Sequence, residues 1–427
     1  MKPNSLSVTL LTTWVSLIAL PASAVDSPQA AAVASAPAPK TPWTLVWHGQ
    51  VRPRLVVDSG RDFMETQLLE REAVSQRARL GLSAALDGGP TFSFVAQDVR
   101  VWGEEGDTLN DASADGFDIH EAWTGLPVGG GFVLKLGRQE IIHDDHRLVG
   151  NVGWLQRARS FDGARLLGKV GSHDIDVFWA VVGEREAGDK DGAVPAGRGG
   201  DIHFFGAHAL FDAGAVKVAP ALYGRLNPGI EESRFTGGLR VTGATGALSG
   251  ALAGYFQIGK LADDGIAAYL GSLDLTYKLD VALAPSVRLF ADWLSGDGTA
   301  YGVFDTLYAT NHKFYGEMDF FLAIPAQTKN LGLIDAGVGL GVVPAKALKA
   351  SLTGHLMRTT KSDAAGASDL GIEVDTKIVW SVAQDVQLRA LYGVFLPGEA
   401  MRTSKEIAAP AALAVEHFAY LTCDVGF

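Results

Sequence analysis

Residues 137–166 hold five arginines in an otherwise acidic chain of 427 residues with a formal net charge of −12. The five are Arg138, Arg147, Arg157, Arg159 and Arg165. Guanidinium groups bind carboxylates through paired, charge-assisted hydrogen bonds, so this stretch indicates a site for anions. Its role depends on the elements that position it.

The arginine-rich stretch connects two segments in which apolar and polar residues alternate, Phe132 to Leu136 and Phe161 to Leu167. The same period of two runs through 76–86, 269–279, 287–293 and 370–380. Such alternation predicts β-strands, and no helical stripe of comparable length accompanies it.

Two features favour a membrane barrel over a soluble sandwich, which alternates in the same way. The alternating segments run to about ten residues, the length that a tilted strand needs to cross a bilayer. Short turns also alternate with long polar links, as in outer-membrane barrels. We therefore predict an all-β chain, a transmembrane antiparallel β-barrel of the outer-membrane type.

The count comes to eighteen strands when residues 295–330 form one extracellular loop. An even number places both chain ends on the periplasmic side. A further strand at Phe314 to Leu322 would break this parity. The predicted starts are Trp43, Val74, Thr91, Asp118, Phe132, Phe161, His173, Asp201, Ala215, Phe235, Ala247, Ala267, Ser286, Leu331, Leu348, Leu370, Val386 and Leu413.

The two ends of the chain agree with delivery to an outer membrane. Residues 1–24 have a basic start, an apolar run and a small-residue cleavage pattern ending at Ala24, which predicts a secretory signal peptide. Residues 25–42 are an Ala/Pro-rich lead-in, and residues 43–427 form a single barrel domain. The last strand ends on Phe427, which resembles the assembly signal of Gram-negative outer-membrane barrels; the alternative is an edge strand of a soluble sheet.

Composition excludes several other classes of function. The acidic balance argues against a nucleic-acid partner, and the single cysteine, Cys423, excludes an intrachain disulfide. No nucleophile and base share a strand face, so we predict no enzyme and no cofactor. The run His143 to His146 contains metal-binding residue types, but adjacent loop residues rarely converge on one ion; we expect a solvated loop and no metal.

A barrel of about eighteen strands has a lumen wide enough for water, where inward charges cost little. Strand parity assigns Arg77, Arg79 and Arg100 to this lumen, together with many carboxylates. Arg138 instead shares its parity with Leu136, so it must lie at the rim or follow a bulge that turns it inward.

Three blocks of sequence resemble the alginate export family of outer-membrane proteins. The first is GRQE at 137–140, RLVGN at 147–151 and RSFDGAR at 159–165. The second is SGD at 295–297 with FDTLYATNHKFYG at 304–316, and the third is DLGIEVD at 369–375 with FLPG at 395–398.

The resemblance implies a monomeric eighteen-stranded barrel that conducts a uronate polymer through an arginine-lined constriction, gated by inward-folded loops. The matching positions for that constriction are Arg138, Arg147, Arg159 and Arg165, and more weakly Arg77, Arg79 and Arg100. Its partners would be outer-membrane lipid, an anionic polysaccharide or small anionic solute, and a periplasmic export partner.

Two alternatives remain open at this stage. The same arginines can pair with wall carboxylates and serve only to hold an inward-folded loop. The channel can also be a general or aromatic-compound diffusion porin, because its predicted lumen is less uniformly positive than a dedicated polyanion exporter requires.

Overall fold

The computed structural model describes residues 43–63, 71–104, 116–183, 200–408 and 412–427, and eighteen strands lie within them. Each strand pairs antiparallel with its neighbours along the chain, and β1 also pairs with β18. The sheet is therefore a closed antiparallel barrel of eighteen strands, which confirms the predicted fold class. The predicted signal peptide and lead-in lie outside the described residues.

The strands are β1 Trp43–Asp58, β2 Arg71–Leu86, β3 Thr91–Val101, β4 Phe117–Gly129, β5 Phe132–Gln139, β6 Phe161–Val170, β7 His173–Gly183, β8 Ile202–Asp212 and β9 Val216–Asn227. They continue as β10 Glu232–Thr245, β11 Leu248–Leu261, β12 Asp264–Lys278, β13 Ser286–Leu294, β14 Leu333–Ala345, β15 Leu348–Arg358, β16 Asp369–Ala383, β17 Val386–Pro397 and β18 Glu416–Gly426. The described residues also contain a short helix, α1 Ala400–Lys405, and 3-10 turns at Pro228–Ile230, Asn311–Lys313 and Ala326–Thr328. In the described part of the chain, no helix has the length and apolar character needed to span a membrane.

Alternation along the strands separates an apolar outer face from a polar lumen, as β11 and β12 show. Leu252 lies opposite Leu273 in the ladder, and both side chains face outward, with Leu252 60% exposed. One position along, Ala251 lies opposite Asp274, whose carboxylate accepts a hydrogen bond from Arg288 at 2.6 Å. A period of two in the sequence thus becomes a lipid-facing band and a charged interior.

The barrel closes where its first and last strands meet. Gly49 of β1 and Phe427 exchange two backbone hydrogen bonds, of 3.0 and 3.2 Å. The Phe427 ring occupies the space in which a Cβ on Gly49 would stand, so only glycine allows this approach. The C-terminal aromatic residue therefore packs over the seam of the barrel.

Two long connections fold into the lumen. We call residues 140–160, between β5 and β6, loop L3, and residues 295–332, between β13 and β14, loop L7. The stretch Phe314 to Leu322 is part of L7 and forms no strand, so the parity of the barrel is kept. Its aromatic residues pack with Phe63 and Phe395 from the wall side, which anchors L7 by apolar burial.

Candidate pore constriction

L3 and L7 join through their backbones inside the barrel. The Tyr308 N–H donates to the Leu148 carbonyl at 3.0 Å, and the Gly150 N–H donates to the Tyr308 carbonyl at 2.9 Å. These two bonds form an isolated parallel bridge between Val149 and Tyr308. Because the bridge satisfies backbone groups of both loops away from the wall, L3 and L7 form one inward-folded unit.

Arg159 fastens this unit from the L3 side. Its guanidinium donates to the carbonyls of Gly150 at 3.1 Å, Ala309 at 3.2 Å and Tyr308. Burial lowers the pKa of Arg159 to about 10, which still leaves the group charged at neutral pH. Its positive charge is thus solvated by carbonyl dipoles, without a carboxylate.

The tip of L3 rests on arginines of the β1 and β2 wall. Arg52 donates to the carbonyls of Gly153 at 2.8 Å and Leu155 at 3.0 Å, and to the side chain of Gln156 at 3.0 Å. Arg77 donates to the Gln156 carbonyl at 3.3 Å. Arg52 and Arg77 lie opposite each other in the ladder, so two adjacent guanidinium groups support the same loop tip.

A third wall arginine stacks on the loop. The Arg54 guanidinium lies 3.5 Å from the centre of the Trp154 ring, and its Nε donates to the Thr422 hydroxyl at 3.1 Å. Cation–π contacts of this kind stabilise a guanidinium without removing its charge. Arg54 therefore adds to the positive charge beneath L3.

Among the described residues, four hydrogen-bonded guanidinium groups around L3 have no carboxylate oxygen within 4.0 Å: Arg52, Arg54, Arg77 and Arg159. Arg157, exposed on L3, has none either within the described ranges. Nearby carboxylates are occupied elsewhere, since Glu140 is bonded to His120 and Asn151. A cluster of fixed charges without counterions raises the local potential of a cleft and concentrates anions there. The arrangement places four positively charged side chains beside the inward-folded loops.

Two of the arginines assigned to the constriction are neutralised by ion pairs. Arg147 contacts Asp292 on β13 and lies 3.5 Å from Asp145; burial alone would lower its pKa, but the Asp292 carboxylate outweighs this and raises it. Arg165 forms a forked pair with Asp176 at 2.5 to 3.0 Å. Both contribute to the packing of L3 and little net charge to the lumen.

The charge of Arg79 is only partly neutralised. Its Nε donates to the Gln97 side chain at 2.7 Å, and its Nη1 lies 3.8 Å from Glu140. The longer distance gives weak pairing, so Arg79 retains part of its field in the lumen.

Arg138 and Arg100 lie on the outer face at the extracellular rim. Arg138 is directly opposite Asp162 in the ladder and pairs with it at 2.8 Å, which corresponds to the rim position allowed by its parity. The assignment of Arg100 to the lumen is wrong. Arg100 lies opposite Gln76, the neighbour of the lumen-facing Arg77, so its side chain faces outward. It pairs there with Asp98 at 2.8 Å. Outward charges are tolerated there because β3 extends beyond the apolar band.

The prediction of a solvated loop at His143 to His146 is wrong. His143 is buried, with one ring nitrogen 2.7 Å from Asp176 and the other 2.9 Å from the Tyr223 hydroxyl. Asp144, Asp145 and His146 are only partly exposed, because L3 folds against the inner wall. His143 thus serves as a packing contact to β7 and β9.

Reasoning from the sequence missed Arg52 and Arg54, the two wall arginines that support the L3 tip. Their spacing of two within a predicted strand, the same as that of Arg77 and Arg79, was the available signal. It also missed Lys313, which is exposed on L7 with no ion pair within 4.0 Å among the described residues. The conducting role of the seven predicted arginines stays a prediction.

A closed barrel with an apolar outer band, a charged lumen and inward-folded loops defines an outer-membrane channel. The family model described as alginate export matches residues 45–415. The chain belongs to the alginate export family, as its three sequence blocks indicated. Family and fold together point to a non-enzymatic channel.

Solved outer-membrane structures share this fold at low sequence identity. Acinetobacter baumannii OccAB1 is 12% identical with a TM-score of 0.61, and the match covers 90% of this chain and 96% of OccAB1. Pseudomonas aeruginosa OccD3 (OpdP) is 13% identical with a TM-score of 0.59, and the match covers 90% of this chain and 91% of OccD3. Pseudomonas aeruginosa OpdK, solved with vanillate, is 12% identical with a TM-score of 0.57, and the match covers 89% of this chain and 98% of OpdK. No curated protein matches the sequence significantly.

Proposed function

We propose that this protein is a passive outer-membrane channel for anionic solutes, with carboxylate-bearing saccharides such as uronate chains as the solute class. One observation carries the proposal, the four hydrogen-bonded guanidinium groups around L3 that have no carboxylate partner among the residues that the structure describes. Their field favours entry of anions over cations.

The bonding of these arginines also suits conduction. Arg52 and Arg159 already donate to several backbone carbonyls, so few N–H groups remain for tight, forked contacts with a solute carboxylate. Conduction requires attraction strong enough for entry and weak enough for exit. The charges therefore attract a passing anion without holding it.

A channel for small or aromatic carboxylates is the second candidate. L3 and L7 occupy the lumen and are fixed to each other and to the wall, which favours small solutes over a polymer. Vanillate, present in the OpdK structure, is a small aromatic carboxylate. Because β1 and β18 of the same chain close the barrel, a single chain forms a complete pore wall.

Channel block in planar bilayers separates these candidates. Oligomannuronate, neutral oligosaccharides of matched length and vanillate are added in turn at equal concentration. Block by oligomannuronate and not by neutral sugars is expected for the uronate channel. Block by vanillate alone would show that the solutes are small aromatic acids and not uronates. Equal block by neutral and acidic sugars would contradict the anion proposal.

A further inference from the structure

A β-bulge in β4 turns two successive side chains toward the lumen. Glu121 lies opposite Val95 and Ile119 lies opposite Ala96, so His120 has no partner residue on β3. Successive residues of a regular strand point to opposite faces, and a bulge changes this alternation. His120 and Glu121 consequently present their ligand atoms to one region.

Glu140, the first residue of L3, completes this region. The His120 Nε2 lies 2.7 Å from the Glu140 Oε1. One ligand atom from each of His120, Glu121 and Glu140 lies within 4.8 Å of the other two. Three such atoms, one imidazole nitrogen and two carboxylate oxygens, are close enough to share one metal ion.

Each of the three side chains has an orienting partner on its far side. The Ser160 hydroxyl lies 3.3 Å from the His120 Nδ1, which leaves Nε2 to face Glu140. The Asn151 amide donates to the Glu140 Oε2 at 2.8 Å, and the Trp123 ring N–H donates to a Glu121 oxygen at 2.7 Å. Supporting hydrogen bonds of this kind are typical of metal ligands, because they fix the tautomer and the orientation.

A metal ion can reach the three side chains from the lumen, and the nearby Arg79 weakens its binding. His120 is 4% exposed, whereas both glutamates are partly exposed to the lumen, so an ion can enter from the water-filled side. Arg79 lies 3.8 Å from Glu140 and opposes a cation there. This repulsion weakens binding without blocking any of the three ligand atoms.

We propose that His120, Glu121 and Glu140 bind a divalent transition-metal ion of the Zn²⁺ type, which fixes the start of L3 to the barrel wall. Three protein ligands leave one coordination position open to the lumen, as in zinc sites that are not fully closed by protein. Binding requires Nε2 without its proton, which Nδ1–H donation to Ser160 allows.

The test uses the full chain, purified in detergent without a histidine tag, with Zn²⁺ titrated by calorimetry and Co²⁺ by its visible absorbance. We expect one ion per chain. His120→Gln and Glu121→Gln each remove a direct ligand, so each should weaken binding by at least the roughly 10- to 100-fold that loss of an outer-shell partner costs. Glu121→Gln preserves side-chain shape, so it keeps the test valid if His120→Gln misfolds. His173→Gln, at the β6–β7 turn, is the matched control and should bind as the wild type does.

Heat-modifiable electrophoretic mobility verifies that each variant is a folded barrel. Absence of one-to-one binding by the wild-type protein would overturn the proposal. Equal binding by Glu121→Gln and the wild type would overturn it as well.

Discussion

Trp154 of L3 and His312 of L7 stack face to face, with ring centroids 4.1 Å apart and planes inclined by 5°. Asp319 joins them, since it accepts from the Trp154 ring N–H at 2.7 Å and lies 2.6 Å from the His312 Nδ1. Arg54 of the wall covers the other face of Trp154. One indole ring therefore connects L3, L7 and the barrel wall.

Replacing Trp154 with alanine should release the tip of L3. Removing a large packed aromatic side chain costs about 3–5 kcal/mol in a protein core, and this ring also carries the Arg54 and His312 contacts. We expect larger and noisier single-channel currents in planar bilayers. Leu155→Ala is the control because Leu155 is 45% exposed and should leave the currents unchanged; identical traces for both variants would contradict the stack as an anchor.

The same stack predicts a pH dependence. Burial alone lowers the pKa of His312, but hydrogen bonds with Asp319 and Glu317 outweigh it and raise the pKa above the ordinary 6.5. The stabilisation of the closed loops is therefore complete below that ordinary value and lost as pH rises through the raised one. Current fluctuations should therefore be larger on the alkaline side of the raised pKa than at pH values below 6.5.

His312→Gln provides the control for this dependence. The variant has no titrating ring, so its fluctuations should be the same under both pH conditions. A wild-type channel that becomes quieter on the alkaline side would have the opposite sign to the one derived.

Gly316 should be intolerant of a side chain. Its φ is +85°, and a Cβ would collide with the Glu373 carboxylate, which accepts from the Met318 N–H at 2.9 Å. Gly316→Ala should destabilise this anchor of L7 by about 1–3 kcal/mol, seen as faster amide exchange at residues 316–320. Gly298→Ala is the control, because its φ of +90° is similar but its Cβ would meet only the Leu331 Cδ2 at 3.8 Å, an ordinary contact. It therefore has the backbone strain without the collision. Equal exchange in both variants would show that the carboxylate contact contributes nothing.

A new charge should lower the free energy of unfolding much more on the outer face of a strand than on its inner face. Leu252→Arg places a guanidinium in the lipid-facing band and should cost about 2–4 kcal/mol of folding free energy in vesicles. Ala251→Arg, the neighbouring position, places the same group in the lumen opposite Asp274 and should cost little. Urea titrations of both variants measure the difference, and equal losses would contradict the assigned faces.

The barrel could be predicted because each strand carries its own local signal. Eight predicted starts, including Trp43, Phe132, Phe161 and His173, coincide with those observed. Boundaries moved where strands extend beyond the membrane, as in β2, which begins at Arg71 rather than Val74. Polar residues face outward there, so alternation no longer distinguishes the faces; Arg100 was misassigned for the same reason.

The interior of the barrel could not be predicted from local patterns. Arg159 bonds to the Tyr308 carbonyl, 149 residues away in the chain, and no period in the sequence encodes that contact. The arginine-rich stretch did indicate an inward-folded loop, and its attraction for anions stays a prediction. Which arginines keep their charge depends on the carboxylates that folding brings beside them, such as Asp292 for Arg147 and Asp176 for Arg165.

The reversal potential across a planar bilayer under a salt gradient tests the central claim most directly. The wild-type channel should favour the anion, and the double variant Arg52→Gln with Arg77→Gln should reduce the anion-to-cation permeability ratio by roughly twofold or more. The outer-face variants Arg100→Gln and Arg138→Gln should leave the ratio unchanged. Cation selectivity in the wild type, unaltered by neutralising Arg52 and Arg77, would contradict the account.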